Sequence, residues 1–298
     1  MNVSILSVDS HNFPNLALMK IASWHRSRGD IVDWYPPMNF YRSDRIYASK
    51  VFTFTPDFHE YRVCDPEPIR GGTGYDSSVK LPDEIENAAP DYSIYPQFRD
   101  TAFGFLTRGC IRNCPWCIVP KKEGHIRPVA DIEQIAGSRK KVVLMDNNVL
   151  ASPADFMFRQ LKKIADMQIA IDFNQGLDAR LMTLKIARLF AKIHWIRFIR
   201  FAADSPGSVK YVRKAVNLLR KAGCRKRIFC YMLVKDDLKE AENRLRELVR
   251  MDVLPFAQPY RDFTTNAEPP KIQRDFARYA NVKGGKICLT TPFSEYYH

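Results

Sequence analysis

The 298-residue chain contains no apolar run approaching the roughly 18 residues needed to cross a bilayer, so an ordinary membrane-spanning helix is not expected. Its opening MNVSILSVDS lacks the cationic start and the cleavage site of a secretory signal, which predicts a cytoplasmic address. There is no low-complexity tract, and no repeat other than an alternation of strand-like and helix-like segments. Acidic residues are the scarcer sign, 33 Asp and Glu against 46 Lys and Arg, and the deficit is uneven. Residues 1–100 carry a net −4 and the other 198 a net +17. That excess is either spread over solvated helix faces or gathered as a surface for nucleic acid or another polyanion. Cysteines number seven, an odd count, and three of them fall within eight residues. This disfavours a disulfide framework and suits metal binding in a reducing compartment.

What is present is a rhythm. VSILSVD (3–9) reads as a strand, Leu16 to Arg28 as a helix ended by Gly29, and 31–35 and 45–54 as further strands, a small α/β unit. Residues 56–98 read as irregular connection, and the GGTG within them as a plain turn or a phosphate-binding loop with no clear helix behind it. From residue 101, strand-like runs at 102–107, 141–146, 169–174, 196–202, 227–234 and 253–260 enclose helical patterns at about 128–137, 153–167, 178–193, 206–222 and 237–251. Such alternation predicts a parallel sheet, buried on both faces or curled into a partial (β/α)6 version of the eight-fold β/α barrel. The expected division is an α/β unit over 1–98, the barrel over 99–265, and a C-terminal helix and tail over 266–298.

The chemistry concentrates in TRGCIRNCPWC (107–117), where Cys110, Cys114 and Cys117 follow the first barrel strand on one loop. Three thiolates so spaced can converge on one metal centre. A structural zinc site needs four ligands, and His125 is the nearest spare donor for a Cys3His set. The second C-x2-C or H-x3-H of a typical zinc finger is absent. A four-iron, four-sulfur cluster can instead be gripped at three corners, with its fourth iron open.

The C-x3-C-x2-C spacing, with Trp116 before the last cysteine and Thr107-Arg108-Gly109 ahead of the first, resembles the signature of the radical SAM enzymes. The lead-in is similar to that of members carrying a cobalamin-binding-type domain before the barrel. The likeness extends over roughly 100–262 as a barrel pattern, and Asp146-Asn147-Asn148 resembles the acidic/amide motif that such members carry at the end of the second strand. The resemblance implies a [4Fe-4S] cluster on Cys110, Cys114 and Cys117, and S-adenosylmethionine chelated to the open iron and cleaved reductively to a 5′-deoxyadenosyl radical. It also implies a reducing partner such as flavodoxin or ferredoxin. Under it, Trp116 lines the adenine side, Asp146 and Asn147 meet the methionine ammonium, and Gln175, Arg180 and Asp204 serve ribose, carboxylate or a strand-end contact. Each has a plainer alternative: core aromatic, strand-end turn, helix cap or surface charge. Tyr231 faces either the barrel interior or the helices.

Residues 1–98 resemble the Rossmann-like cobalamin-binding module of those members, with Asp9-Ser10-His11 after the first strand. The D-x-H-x-x-G pattern is broken, because Pro14 stands where glycine would let backbone approach a bulky ligand. A degenerate module without cobalamin is expected, with His11 as a loop residue. Cys64, Cys224, Cys230 and Cys288 are scattered with no cluster-forming spacing; Cys230 suits a buried strand, and an approach of Cys288 to the barrel mouth is only the lesser alternative. The alternatives to a radical enzyme are a nucleic-acid-binding protein with a Cys3His zinc site and a non-catalytic iron–sulfur protein. Nucleic acid, peptide and small metabolite all remain open as substrates.

Overall fold

A computed structural model of the chain describes residues 1–10, 13–37 and 42–296. The chain divides into two compact units, Met1–Asp100 and Thr101–His298. Among the described residues no helix is long and apolar enough to cross a membrane.

The first unit contains β1 (Asn2–Ser7), α1 (Leu16–Ser27), β2 (Ile31–Trp34), β3 (Arg45–Ser49), β4 (Ile69–Gly71) and α2 (Asp83–Glu86). Its four strands form a parallel sheet in the order β2-β1-β3-β4. Val3 and Ile5 of β1 and Val32 of β2 pack against Leu18, Met19 and Ala22 of α1, the apolar stripe that helical spacing predicts. Asn15 caps α1 by accepting from Leu18 N and donates to Ser49 Oγ at 2.8 Å, so one side chain starts the helix and fixes β3 to it.

The stretch read as irregular contains β4. Its segment Ile69-Arg70-Gly71 is too short and too polar to show a strand period, and it exists because β3 offers a parallel edge, pairing Tyr47 with Ile69 and Ser49 with Gly71. The GGTG that follows is a close-packed turn. Gly72 has φ +94°, and a Cβ there would stand 2.5 Å from Lys50 O, so glycine is required by backbone contact with the β3 loop.

The second unit contains β5 (Thr101–Gly104), β6 (Thr107–Arg108), α3 (Val119–Glu123), β7 (Arg127–Pro128), α4 (Ile132–Ala136), β8 (Lys141–Leu144), α5 (Ala154–Asp166) and β9 (Ala170–Phe173). It continues through α6 (Leu184–Phe190), β10 (His194–Trp195), β11 (Ile199–Ala202), α7 (Val209–Lys221), β12 (Ile228–Val234), α8 (Leu238–Arg250), β13 (Val253–Pro259), α9 (Lys271–Asn281) and α10 (Phe293–Tyr296). One parallel sheet has the order β10-β9-β8-β5 and another β11-β12-β13. A parallel bridge between Leu177 and Phe201 joins them, with Leu177 N donating to Arg200 O at 2.8 Å. The carboxyl ends of the strands therefore share one edge within each sheet.

The helix expected over 178–193 is shorter. Ala179–Leu181 is a 3-10 turn, Met182 is extended, and Thr183 starts α6 by accepting from Ile186 N. Both Asp178 and Thr183 are capping residues, and two caps five positions apart break one helix into two.

Period-two alternation gives each strand two faces. Ile171, Phe173, Ile199, Phe201, Ile228, Cys230, Met232 and Val234 join the helices in one large core. Phe103, Asp172, Arg200, Phe229, Tyr231 and Phe256 alternate with the core positions and occupy the opposite face, where Phe229 lies 4.9 Å from Tyr231 and 5.7 Å from Phe256 between ring centroids. The C-terminal segment is built into the same core: Phe276, Tyr279 and Phe293 pack ring against ring. Cys288 is fully buried there, away from the lesser alternative of a place at the mouth of the strands.

Candidate functional site

The cysteine loop is a closed structure. β6 pairs antiparallel with β7, Thr107 with Pro128 and Arg108 with Arg127, so residues 109–126 leave and return at one point. Gly109 begins the excursion with φ +85°, and a Cβ on it would stand 2.3 Å from His125 O. Cys110 N donates to Gly124 O at 3.1 Å across the neck, and Arg127 donates to Glu123 O at 2.8 Å. Within the loop Cys117 N donates to Cys114 O at 3.0 Å, and Arg112 N donates to Cys110 Sγ at 3.3 Å. All three thiols are free; Cys117 is exposed and the other two half-buried.

These thiols sense one another. Burial pushes the Cys114 thiol up, the neighbouring Cys117 adds to this, and the Arg180 cation opposes it. Cys117 is exposed as a residue, but desolvation on the inner side of its sulfur is the largest cause raising its thiol, followed by Cys110 and Asp204, against a hydrogen bond from the Val119 backbone. Among the described residues no three His, Cys, Asp or Glu side chains are gathered as tightly as a single metal ion requires. His125 is exposed, and its part in the loop is played by its backbone oxygen.

Around the loop stand residues from the carboxyl ends of the strands. Asp146, beyond β8, is 2 % exposed and spends its oxygens inward: Leu106 N donates to it at 3.1 Å, and Thr107 N and Thr107 Oγ1 each at 2.6 Å. Burial raises its pKa to about 6 against those three hydrogen bonds. It anchors the base of the loop. Asn147 is half-buried and makes no hydrogen bond among the described residues. Asn148, which sequence reasoning left without a role, touches the cysteines. Its Nδ2 donates to Cys110 Sγ at 3.5 Å, and its buried Oδ1 has no partner among the described residues.

Arg180 is exposed and donates to Asp178 Oδ1 at 2.7 Å, while Arg112 of the loop donates to Asp178 Oδ2 at 2.8 Å. Burial raises Asp178, but the two guanidinium partners outweigh it and hold the carboxyl below its ordinary range. Gln175 is exposed and unpartnered among the described residues. Asp204, beyond β11, accepts from Leu233 N at 3.0 Å; burial raises its carboxyl, against that bond and the charges of Arg244, Lys235 and Arg180. Lys235 follows β12 directly, and its Nζ lies 3.8 Å from the Trp116 ring centre and 5.5 Å from that of Tyr260. Trp116, Arg180 and Asp204 thus come together with the cysteines, Gln175 is left unengaged, and Arg112, Asn148, Asp178 and Lys235 join unannounced. Their shared signal is position: all but Arg112 lie within a few residues after a parallel strand, where α/β folds present functional side chains.

The face opposite the helices carries a buried ion pair. Arg200 donates to both Asp172 oxygens at 2.7 Å, lies 5.0 Å from the Phe229 ring centre, and neighbours Tyr231, whose hydroxyl donates to Asn174 O at 2.7 Å. Tyr231 therefore faces away from the helices. In the first unit, Asp9 accepts from Val51 N and Phe52 N, and Pro14 is buried; His11 lies outside the described residues. Cys224 and Cys230 are buried, and Cys64 is exposed in the first unit.

No known protein-family model matches the chain, and no curated protein is significantly similar to it in sequence.

Proposed function

We propose that the second unit is a partial (β/α)6 barrel of the radical SAM type, binding a [4Fe-4S] cluster through Cys110, Cys114 and Cys117. The bridge that joins two parallel sheets at Leu177 and Phe201 supports the curled sheet. The observation that carries the chemistry is Asn148: beside a thiol of the cysteine loop it holds a buried carbonyl oxygen with nothing to accept from. Buried acceptors are ordinarily satisfied, and one left open next to three thiols suits a donor on a bound ligand. The donor set fits a cluster. A cubane binds each thiolate on a different iron, so three sulfurs of one loop need not converge on a single point.

A cluster so held supplies, when bound and reduced, the electron that cleaves S-adenosylmethionine to methionine and a 5′-deoxyadenosyl radical. The chain's own residues orient and enclose. Asn148 Oδ1 accepts from the methionine ammonium, with Asn147 beside it. Trp116, steadied by Lys235, walls the site, and Arg180 and Arg112, tied together by Asp178, place positive charge at its rim. Asp146 holds the loop to the sheet through Leu106 and Thr107 rather than facing the ligand.

The test is anaerobic purification and reconstitution, with iron and sulfide determined and 5′-deoxyadenosine assayed after reduction with S-adenosylmethionine. The expected result is a brown protein that yields deoxyadenosine, and a Cys110→Ala, Cys114→Ala, Cys117→Ala chain that holds no iron. A colourless protein with one zinc, or iron content untouched by the three substitutions, overturns the reading. Bound cluster and bound S-adenosylmethionine without deoxyadenosine reassigns the chain to a non-catalytic iron–sulfur protein.

A further inference from the structure

We propose that the solvent face of α7 is a binding track for single-stranded nucleic acid that begins at the rim of the cysteine site. From Val209 to Arg227 the chain has eight Lys and Arg and no Asp or Glu. The fold sorts these cations into two groups. Arg220 donates to Cys224 O and Lys226 O, and Lys226 donates to Trp195 O, so these two are tied to backbone. Lys210, Arg213, Lys214, Lys221, Arg225 and Arg227 are exposed, Arg227 lying 5.7 Å from the Phe198 ring centre. Arg213 shares Glu247 of α8 at 2.9 Å; among the described residues no carboxylate pairs with Lys214, Lys221 or Arg225.

The exposed cations form a stripe. Positions 210, 214, 217 and 221 follow the i, i+4, i+7, i+11 spacing of one helix face, about 16 Å from end to end at the helical rise. Lys210, Arg213, Lys214, Asn217, Leu218 and Lys221 line a shallow groove of about 430 Å³. At its start stands Tyr211, 37 % exposed, a ring on which a base can stack. Arg180 lies within electrostatic reach of Tyr211 on one side and of Cys114 on the other, and shares Asp178 with Arg112 of the cysteine loop. Arg180 and Arg112 therefore stand between the groove and the loop, two cations sharing the single carboxylate of Asp178.

The chemistry selects among polyanions. A helix that lies on a membrane must offer its apolar face to lipid, and here Val209, Val212, Ala215, Val216 and Leu219 are buried in the core. A protein partner needs an apolar centre to its contact, and interface cores are depleted in lysine. Lysine and arginine around a single exposed aromatic match phosphate contacts with a stacking platform. Binding stands apart from the cluster reading; only the further step, that the bound strand is the substrate of the site, rests on it.

The experiment is fluorescence anisotropy of a short labelled single-stranded RNA of mixed sequence with the full chain, over a series of salt concentrations. For single strands the slope of log affinity against log salt is about −0.7 per phosphate contacted. The Lys210→Ala, Lys214→Ala, Lys221→Ala chain is expected to flatten that slope by about two and to bind roughly ten-fold more weakly or worse at moderate salt. Alanine keeps the helix intact. A Lys80→Ala, Lys162→Ala, Lys286→Ala chain removes equal charge from exposed positions elsewhere and is expected to bind as the parent does. Equal losses in both triple variants, no binding by the parent, tighter binding of duplex than of single strand, or binding confined to phosphatidylserine vesicles or to polyglutamate would each overturn the proposal. Chain with and without iron is expected to bind RNA alike, so failure here and failure to hold a cluster are read separately.

Discussion

The side-chain amide of Asn148 donates to the Cys110 sulfur at 3.5 Å, while the carbonyl of the same amide lies buried with no partner among the described residues. One residue thus fixes a thiol and keeps an acceptor in reserve. A buried acceptor without a partner costs about 1–3 kcal/mol, which a donating ligand recovers. Asn148→Ala is expected to retain iron and sulfide but to bind S-adenosylmethionine roughly ten-fold more weakly, measured by anaerobic titration calorimetry. Unchanged affinity would remove Asn148 from the ligand's surroundings.

Two glycines of the cysteine loop separate strain from collision. Both have positive φ, +85° at Gly109 and +72° at Gly124, but a Cβ on Gly109 meets His125 O at 2.3 Å while one on Gly124 meets nothing within 4 Å. Gly124, at ψ −150°, lies in a backbone region that essentially only glycine populates, so Gly124→Ala should cost about 1–3 kcal/mol of backbone strain and no collision. Gly109→Ala must also open the Thr107–Pro128 pairing. Thermal melts and iron retention after reconstitution should rank Gly109→Ala well below Gly124→Ala; equal behaviour would show that the neck of the loop tolerates displacement.

The Asp172–Arg200 pair predicts a non-additive result. Both side chains are nearly buried, and the pair is bidentate. Removing one partner of such a pair leaves a buried charge and costs about 3–5 kcal/mol, whereas replacing both by apolar groups is often close to neutral. Arg200→Leu should be strongly destabilised in urea unfolding, and Asp172→Leu with Arg200→Leu should regain most of the loss. A double variant as unstable as the sum of the singles would contradict this.

Asp146 gives a pH dependence with a definite sign. Burial raises its folded pKa from 3.8 to about 6, so the folded state holds its proton where the unfolded chain has released it. Its contribution to stability is complete below the ordinary carboxylate range and is lost as pH rises through about 6, a change of about 3 kcal/mol. Asp146→Asn cannot ionise. It also loses an acceptor for the Leu106 and Thr107 donors, so it should be less stable than the parent throughout, and by more at about pH 4.5 than at pH 7. A gap that widens toward neutral pH would reverse the assignment.

The sequence was most readable where burial is one-sided and periodic. The unbroken apolar run Ile228–Val234 and the helical apolar period of Val209–Lys221 are each bounded by polar segments, and the structure places both elements within a few residues of the expected limits. Short elements escaped. Ile69–Gly71 becomes a strand only because β3 pairs with it, and Asp178 and Thr183 divide a helix that periodicity alone runs together. For the candidate site residues, position along the chain did not give orientation. Asp146 looks like a ligand-facing acid and is bound to backbone, while Asn148, two residues on, meets the cysteine.

The sequence by itself determined the α/β alternation, the three thiols on one loop and the cationic character of residues 101–298, because composition, spacing and period are local properties of the chain. Only the tertiary structure decided which neighbours these groups acquire. Asp178 became the link between Arg112 and Arg180, and Lys235 came to rest on Trp116. Both depend on residues distant in sequence meeting at strand ends, and burial decides which polar atoms keep a free valence. Neither quantity is written in any single segment.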